Sequence, residues 1–407
     1  MSVDIRTITI DEADAFRRAV RAGFGSPETI DDGDWARAVC DPVDRVLAAF
    51  DRGGIVATFQ SFATEVTVPG GALVASGAVT AVTCRATHRR QGLLTRMMLA
   101  DLAASRDRGE IVDVLIAAEY PIYGRFGYGP AVLSTAWELD TAAAEFVMPG
   151  AGTVEFIDNE TLRKEGPAIF DRVRRSRPGM IDRSEFDWDV RADLRRRPED
   201  KPWLGFRVLC RDGDGVAQGW ANYLHKEKWA DMRPQSTAEV SDLCAATTAA
   251  EIRLWRFLTE LDHVATVTAG DRPADELLPW VLNDARAAKQ TARSDFVWVR
   301  PLDVAALLTA RSYTSRGRVV IEVDDPQGIA GGRFVLDASP DGTTCRTTSE
   351  SAEVTMPVRT LGAVSLGGIR LASLHAAGWS DEHVPGAVER TDALLAGAVA
   401  PWCNTWF

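Results

Sequence analysis

The chain has 407 residues, 46% hydrophobic and 26% charged, with a net charge of -12. One hydrophobic core stops growing near about 250 to 300 residues, so two or three domains are expected. The acidic balance argues against a nucleic acid partner, which needs a basic footprint, and no apolar run reaches the roughly 18 to 20 residues of a membrane span.

Residues 1–15 carry Asp4, Asp11, Glu12 and Asp14 and no apolar core of a secretory signal. The six cysteines are scattered without CxxC spacing, which points to a reducing cytoplasm rather than a disulfide framework or a zinc site. His88, His225, His263, His375 and His383 form no i, i+3 or i, i+4 pair, so no metal is expected. Negative charge suits a cationic acceptor such as an amine; it equally serves solubility.

In chain order, helical spacing of apolar residues predicts a helix over 10–22, and Trp35 lies in a short second one over 35–39. Strands over 45–50 and 55–63 flank Asp51-Arg52-Gly53-Gly54 as a hairpin, and strands over 65–68 and 72–84 flank Pro69-Gly70-Gly71. A helix over 92–105, an apolar strand over 112–117 and a strand over 131–139 complete a mixed α/β sheet. A second unit repeats this grammar between about 154 and 300, with strands over 206–210 and 218–224, helices over 249–261 and 273–288, and no Gly-rich phosphate loop. The third unit, from 302 on, has a helix over 304–310, strands over 318–323 and 333–337, and helical segments after Met356.

The stretch Val82-Thr83-Cys84-Arg85-Ala86-Thr87-His88-Arg89-Arg90-Gln91-Gly92-Leu93-Leu94-Thr95 runs from an apolar strand through a basic turn into a helix that opens at a glycine. Helix starts attract anions because their first amides lack intrahelical partners and the macrodipole is positive there. Gly92 would let backbone approach a pyrophosphate, and Arg89 and Arg90 would add charge; the arginines are also compatible with a solvated turn.

In context this stretch resembles the GNAT acetyltransferase superfamily, whose signature is Arg/Gln-x-x-Gly-x-Gly/Ala. Arg89 and Gly92 match, and Leu94 stands where the signature has a small residue. The segment Ala118-Glu119-Tyr120-Pro121-Ile122-Tyr123-Gly124-Arg125-Phe126-Gly127-Tyr128-Gly129-Pro130 and the aromatic tail Pro401-Trp402-Cys403-Asn404-Thr405-Trp406-Phe407 narrow the resemblance to the Eis (enhanced intracellular survival) branch.

That resemblance covers essentially the whole chain. It implies a GNAT acetyl-CoA-binding domain over 1–150, a second GNAT-like domain without the phosphate loop over 151–300, and a sterol-carrier-protein-like domain over 301–407 whose tail reaches the active site. It implies acetyl-CoA held by Val82, Thr83, Cys84, Arg89, Arg90, Gln91, Gly92, Leu93, Leu94, Thr95, Ala118 and Glu119. Tyr123 would be the general acid and the Phe407 α-carboxylate the general base, in direct acetyl transfer to an aminoglycoside, polyamine or lysine-type amine. A phenol with a pKa near ~10 can donate to a departing thiolate. Cys84 offers a ping-pong alternative.

Phe24 and Trp35, beside Asp31, Asp32 and Asp34, are candidates for an amine pocket or for helix caps and core. Trp406, where an aminoglycoside-modifying branch has an acidic residue, joins them as a candidate substrate contact and points to a less cationic or more aromatic acceptor. Asp271-Arg272-Pro273-Ala274-Asp275 resembles the family's central domain and is expected to be structural. The family relation also implies a homohexamer, a dimer of trimers. A non-catalytic acyl-CoA-binding regulator and a lipid carrier acting through the C-terminal domain are the competing readings.

Overall fold

The computed structural model describes residues 3–26, 33–197 and 200–407. In the first large sheet the strand order is Asp4–Thr7, Val46–Asp51, Gly54–Thr67, Leu73–Cys84, Val112–Ile116, Val297–Pro301, Gly129–Pro130. The second is ordered Ala288–Asp295, Leu133–Asp140, Val264–Arg272, Ser236–Ala245, Ala217–Lys226, Phe206–Arg211, Thr153–Phe156. A third, of five strands, is built around Gly317–Asp324 and Gly332–Ser339. Two tandem seven-stranded units are thus followed by a smaller α/β unit.

The central strand Gly54–Thr67 is buried almost throughout its first half, because helices cover both faces. Met97, Met98 and Leu102 of the helix Leu93–Asp107 pack with Phe59 and Leu115 on one face. Phe16 and Val20 of the helix Ala13–Gly23 pack with Ala48 and Ile55 on the other. A strand covered on both sides reads as a continuous apolar run, without alternation.

The two units exchange strands. Leu133–Asp140 leaves the first unit to pair with Val264–Arg272 and Ala288–Asp295 of the second. In return, Val297–Pro301 pairs with Val112–Ile116 and Gly129–Pro130 of the first. Only Phe296 separates the strand in one sheet from the strand in the other. The residue 150 and 300 boundaries therefore follow the chain, while the hydrogen bonding crosses both.

Several elements differ from expectation. Segments 55–63 and 65–68 form one strand, Gly54–Thr67, because Val66 pairs with Val74 and keeps the ladder running past the polar Thr64 and Glu65. The helix expected over 273–288 is reduced to Leu278–Val281 and a short 3-10 turn, Ala285–Ala287. Leu278 and Leu282 enter the core, but Leu282 is already extended and Trp280 is 82% exposed, as the chain turns toward its next strand. That strand, Ala288–Asp295, lies at a sheet edge with polar exposed residues, so its sequence carries no alternating signal. Ser236–Ala245 and Val264–Arg272 were also not expected as strands, and they turn out to be the centre of the second sheet.

The Gly-rich segment after Tyr123 explains how the third unit docks. A Cβ on Gly129 would lie 1.9 Å from the Arg359 carbonyl oxygen and 2.7 Å from the Ala363 nitrogen, so only glycine lets the helix Val358–Val364 lie against that strand. Beside it, Arg300 donates to both carboxylate oxygens of Asp325 at 2.8 and 2.9 Å and to the Phe126 carbonyl at 2.7 Å, with both side chains inaccessible. Burial opposes ionisation of Asp325, yet the Arg300 charge and its hydrogen bonds outweigh that and hold its pKa below the usual value. A Gly129→Ala variant is expected to melt about 5 °C or more below the parent in a thermal scan, because the clashing atoms are backbone and cannot rotate away.

Candidate active site

The site begins with a fault in the first sheet. Leu73–Cys84 and Val112–Ile116 run parallel and pair from Ser76 with Val112 to Val79 with Leu115, and no further. At the same level the antiparallel register slips: Thr58 pairs with Thr83 and Gln60 with Thr80, leaving one additional residue on Leu73–Cys84. Ala81 takes a left-handed φ of 52° at this bulge. The Thr58 hydroxyl pins it, donating to the Ala81 carbonyl at 2.7 Å and lying 2.6 Å from the Thr83 hydroxyl. A bulge bends the strand that carries it, so residues 80–84 splay from Val112–Ile116 and their inner backbone groups are left without a sheet partner.

The cleft is a cavity of about 390 Å³. Thr80, Ala81 and Val82 form one wall, Ile116, Ala117 and Ala118 the other, with Phe24 and Tyr123 beside them. The second unit closes it with Ser134, Asp271, Ser294, Asp295 and Phe296, and the chain end supplies Trp406 and Phe407.

At the end of the bent strand the basic turn opens the helix Leu93–Asp107. Gly92 caps it in the left-handed conformation, φ 74°, with no side chain covering the first amides. Arg89, Arg90, Gln91 and Thr95 are exposed, and Arg89 and Arg90 make no ion pair among the described residues. Leu93 is buried against the sheet and Leu94 partly so, which leaves their backbone amides as the groups that face an anion. An uncapped helix start, two free guanidinium groups and an unpaired strand edge fit a pyrophosphate with an amide-bearing arm.

Tyr123 ends a single helical turn, Tyr120–Tyr123, that Pro121 helps to start. It is 6% exposed, and its ring lies edge-on to Tyr128 at 6.3 Å between centroids. Its hydroxyl has no hydrogen-bond partner among the described residues. Burial, with the Glu119 charge adding to it, pushes the phenol pKa up, so the proton is retained at neutral pH. Tyr128 packs behind it, its hydroxyl against the Met98 sulfur at 3.6 Å, which matches a rigidifying role. Burial likewise raises the Cys84 thiol, with Arg89 only partly offsetting this, and its hydrogen-bond partner among the described residues is the Arg85 carbonyl at 3.6 Å. A thiol so placed lacks the base that nucleophilic catalysis needs.

The tail is gripped along its length. The Ala400 amide donates to Asp275 at 3.2 Å, and the Trp402 indole N–H to the Asp271 carbonyl at 2.7 Å. Arg183, fully buried, donates to the Thr405 hydroxyl at 2.9 Å and the Asn404 carbonyl at 3.0 Å. Burial, reinforced by Arg191, pushes its pKa down to about 10, which still leaves it charged at neutral pH. Trp406, 61% exposed, donates to Asp271 Oδ2 at 2.7 Å and leans on Phe296 at 4.8 Å. Phe407 sets its ring against Phe62 at 5.8 Å, and its α-carboxylate has no partner among the described residues.

The structure thus brings Val82, Ala118, Tyr123, Phe24, Trp406 and Phe407 to one cavity, and the strand that carries Val82 continues into the basic loop. Thr83 and Cys84 stand just beyond it on the bent strand, and Glu119 is exposed beside Tyr123. The expectation for Trp35 is corrected: it is 7% exposed and outside the cavity, with Phe186 against it at 4.9 Å and the Arg197 guanidinium over its ring. Asp34 is exposed in the first turn of the helix Gly33–Cys40, and Asp31 and Asp32 lie outside the described residues. Asp271, expected to be structural, also lines the cavity. Ser134, Ser294, Asp295 and Phe296 were not foreseen, since only the strand exchange brings them there.

Comparison with known proteins agrees with this fold. Residues 4–131 and 179–301 each match an acetyltransferase (GNAT) domain family, and residues 304–404 match a sterol carrier protein domain. The fold and site define an N-acetyltransferase with two GNAT units. An uncharacterized N-acetyltransferase of Streptomyces avermitilis is 42% identical over 100% of this chain and 99% of its own. The N-acetyltransferase Eis of Mycobacterium tuberculosis is 33% identical over 88% of each chain. The crystal structure of Eis1 from Mycobacterium abscessus superposes with a TM-score of 0.88 at 30% identity, covering 99% of this chain and 100% of that one. The chain belongs to the Eis family of N-acetyltransferases.

Since Arg89 is exposed and unpaired, Arg89→Ala is expected to weaken coenzyme A binding about tenfold in a calorimetric titration while leaving the melting temperature of the free protein within about 1 °C.

Proposed function

We propose that the protein transfers the acetyl group of acetyl-CoA directly to an amine, with Tyr123 as general acid and the Phe407 α-carboxylate as general base. The observation that carries this reading is the convergence, in one cavity, of a protonated phenol whose hydroxyl has no partner among the described residues and a chain end whose carboxylate has none. Acetyl-CoA brings an activated thioester. Arg89, Arg90 and the amides of Gln91, Gly92, Leu93, Leu94 and Thr95 would hold its pyrophosphate, and the free edge at Val82, Thr83 and Cys84, facing Ala118 and Glu119, its arm.

The acceptor ammonium first gives one proton to solvent, which frees its lone pair, and the Phe407 carboxylate takes a second proton from the attacking nitrogen. Nitrogen bonds to the carbonyl carbon, the carbon–sulfur bond breaks, and Tyr123 gives its proton to the departing sulfur. The products are amide and thiol, the proton held by Phe407 returns through solvent to the Tyr123 phenolate, and no acyl-enzyme forms. Asp271 and Asp295 add negative charge and Phe24, Phe296 and Trp406 add aromatic faces, which suits an aminoglycoside, polyamine or lysine-type ammonium. The same reading includes cytoplasmic residence and a homohexameric assembly, which light scattering tests directly.

Tyr123→Phe is expected to lower kcat by about 10²- to 10⁴-fold with little change in the KM for acetyl-CoA, as measured by thiol release. Adding residues after Phe407 removes its carboxylate from the cavity and is expected to lower kcat comparably; unchanged turnover would refute that base. Binding of acetyl-CoA without thiol release for any amine would favour the regulator, and acyl-lipid binding by the C-terminal domain would favour the carrier. For pH, the sign follows from the raised phenol: the acid form persists above the ordinary tyrosine value, so the alkaline fall of kcat is expected to begin above about pH 10.

A further inference from the structure

The second unit repeats the architecture that makes the cofactor cleft in the first. Ser236–Ala245 and Val264–Arg272 run parallel and pair from Ser236 with Val264 to Val240 with Ala269, joined by the helix Thr248–Thr259. At the same level Tyr223 pairs with Val240 and Asn222 with Asp242, leaving Ser241 as the additional residue. Bulge, lost pairing and crossover helix recur in the same order, so a second cleft opens at the same place in the second sheet.

Its contents differ. Asn404 donates to Asp242 Oδ1 on one lip at 2.9 Å, and the Trp402 indole to the Asp271 carbonyl on the other at 2.7 Å. Trp402, Cys403, Asn404 and Thr405 are all buried, Trp402 in the core of the second unit and Cys403 facing back to Val66, Val132 and Ile181 at the first sheet. The helix start that would face a pyrophosphate is closed by the Thr247 side chain, which accepts from the Ala250 amide, and carries Glu251 in its first turn. What remains is a polar cavity of about 140 Å³.

We propose that this second cleft is the binding site of the chain's own residues 401–405, a peptide held where the first unit holds a cofactor arm, and that Asp242 and Arg183 are positioning residues for Phe407. The inference rests on the reading of Phe407 as the base. It explains what the second GNAT unit does, since the bulge that opens a cofactor site in one copy opens a seat for the chain end in the other. The filled seat also limits the protein to one coenzyme A per chain.

The full-length protein tests this through the Asn404–Asp242 pair. Asn404→Asp sets two carboxylates against each other. It is expected to raise amide hydrogen exchange selectively in 401–407 and to lower kcat at least about tenfold with unchanged coenzyme A affinity. The double variant Asp242→Asn/Asn404→Asp reverses the pair and should restore protection and most of kcat. Where Asn404→Asp prevents folding, Asn404→Ala makes the comparison by deleting the bond. Unchanged exchange of the tail in the single variant, no recovery in the double variant, or calorimetric binding of two coenzyme A per chain would overturn the proposal. A released tail with undiminished kcat would instead overturn the Phe407 base and leave the seat standing.

Discussion

Most of this molecule depends on one constraint, the exchange of strands between the two GNAT units. Because Leu133–Asp140 is hydrogen-bonded into the second sheet and Val297–Pro301 into the first, the units cannot separate without breaking both ladders. Phe296, the single residue between two sheets, is carried to the edge of the cleft by that exchange, and Asp271 and Asp295 come with it. A cavity built across rigidly joined sheets keeps its walls in register, which a site between hinged domains would not.

The third unit is fixed in turn by a small number of close approaches. Gly129 admits the helix Val358–Val364 at backbone contact, and Arg300, on an exchanged strand, holds Asp325 of the third unit in a buried pair. Such a pair adds less net stability than its geometry suggests, since both charges lose water; losing one partner is what costs. Its effect is on placement. With the third unit fixed, its final residues can cross the second unit and reach the first, where Tyr123 and the bent strand already stand.

The local sequence shows the parts of the site that are local in chemistry. Gly92 after a basic turn, the strand before it and the helix after it are adjacent in the chain, and the structure assembles them in that order. The bulge was not legible: Ala81 is an ordinary strand residue by composition, and its left-handed φ follows from the register of a strand it pairs with and from the Thr58 hydroxyl. Trp35 shows the converse error. A tryptophan near acidic residues resembles an amine pocket, but its ring finds Phe186, a residue far along the chain. The expected helix over 273–288 failed for a related reason, since its leucines match helical spacing while serving a turn and the start of an edge strand.

From the sequence alone follow the mixed α/β class, the basic turn and helix start at Gly92, the aromatic-glycine segment around Tyr123 and the aromatic character of the tail, because each is written in neighbouring residues. Tertiary structure alone decides which unit closes the cavity, that Trp402 and Asn404 bond to Asp271 and Asp242 of the second sheet, and that Tyr123 and Phe407 line one cavity. Those outcomes depend on pairings between residues more than a hundred positions apart, and register over such distances is set by burial and hydrogen bonding in the folded chain, which no local pattern records.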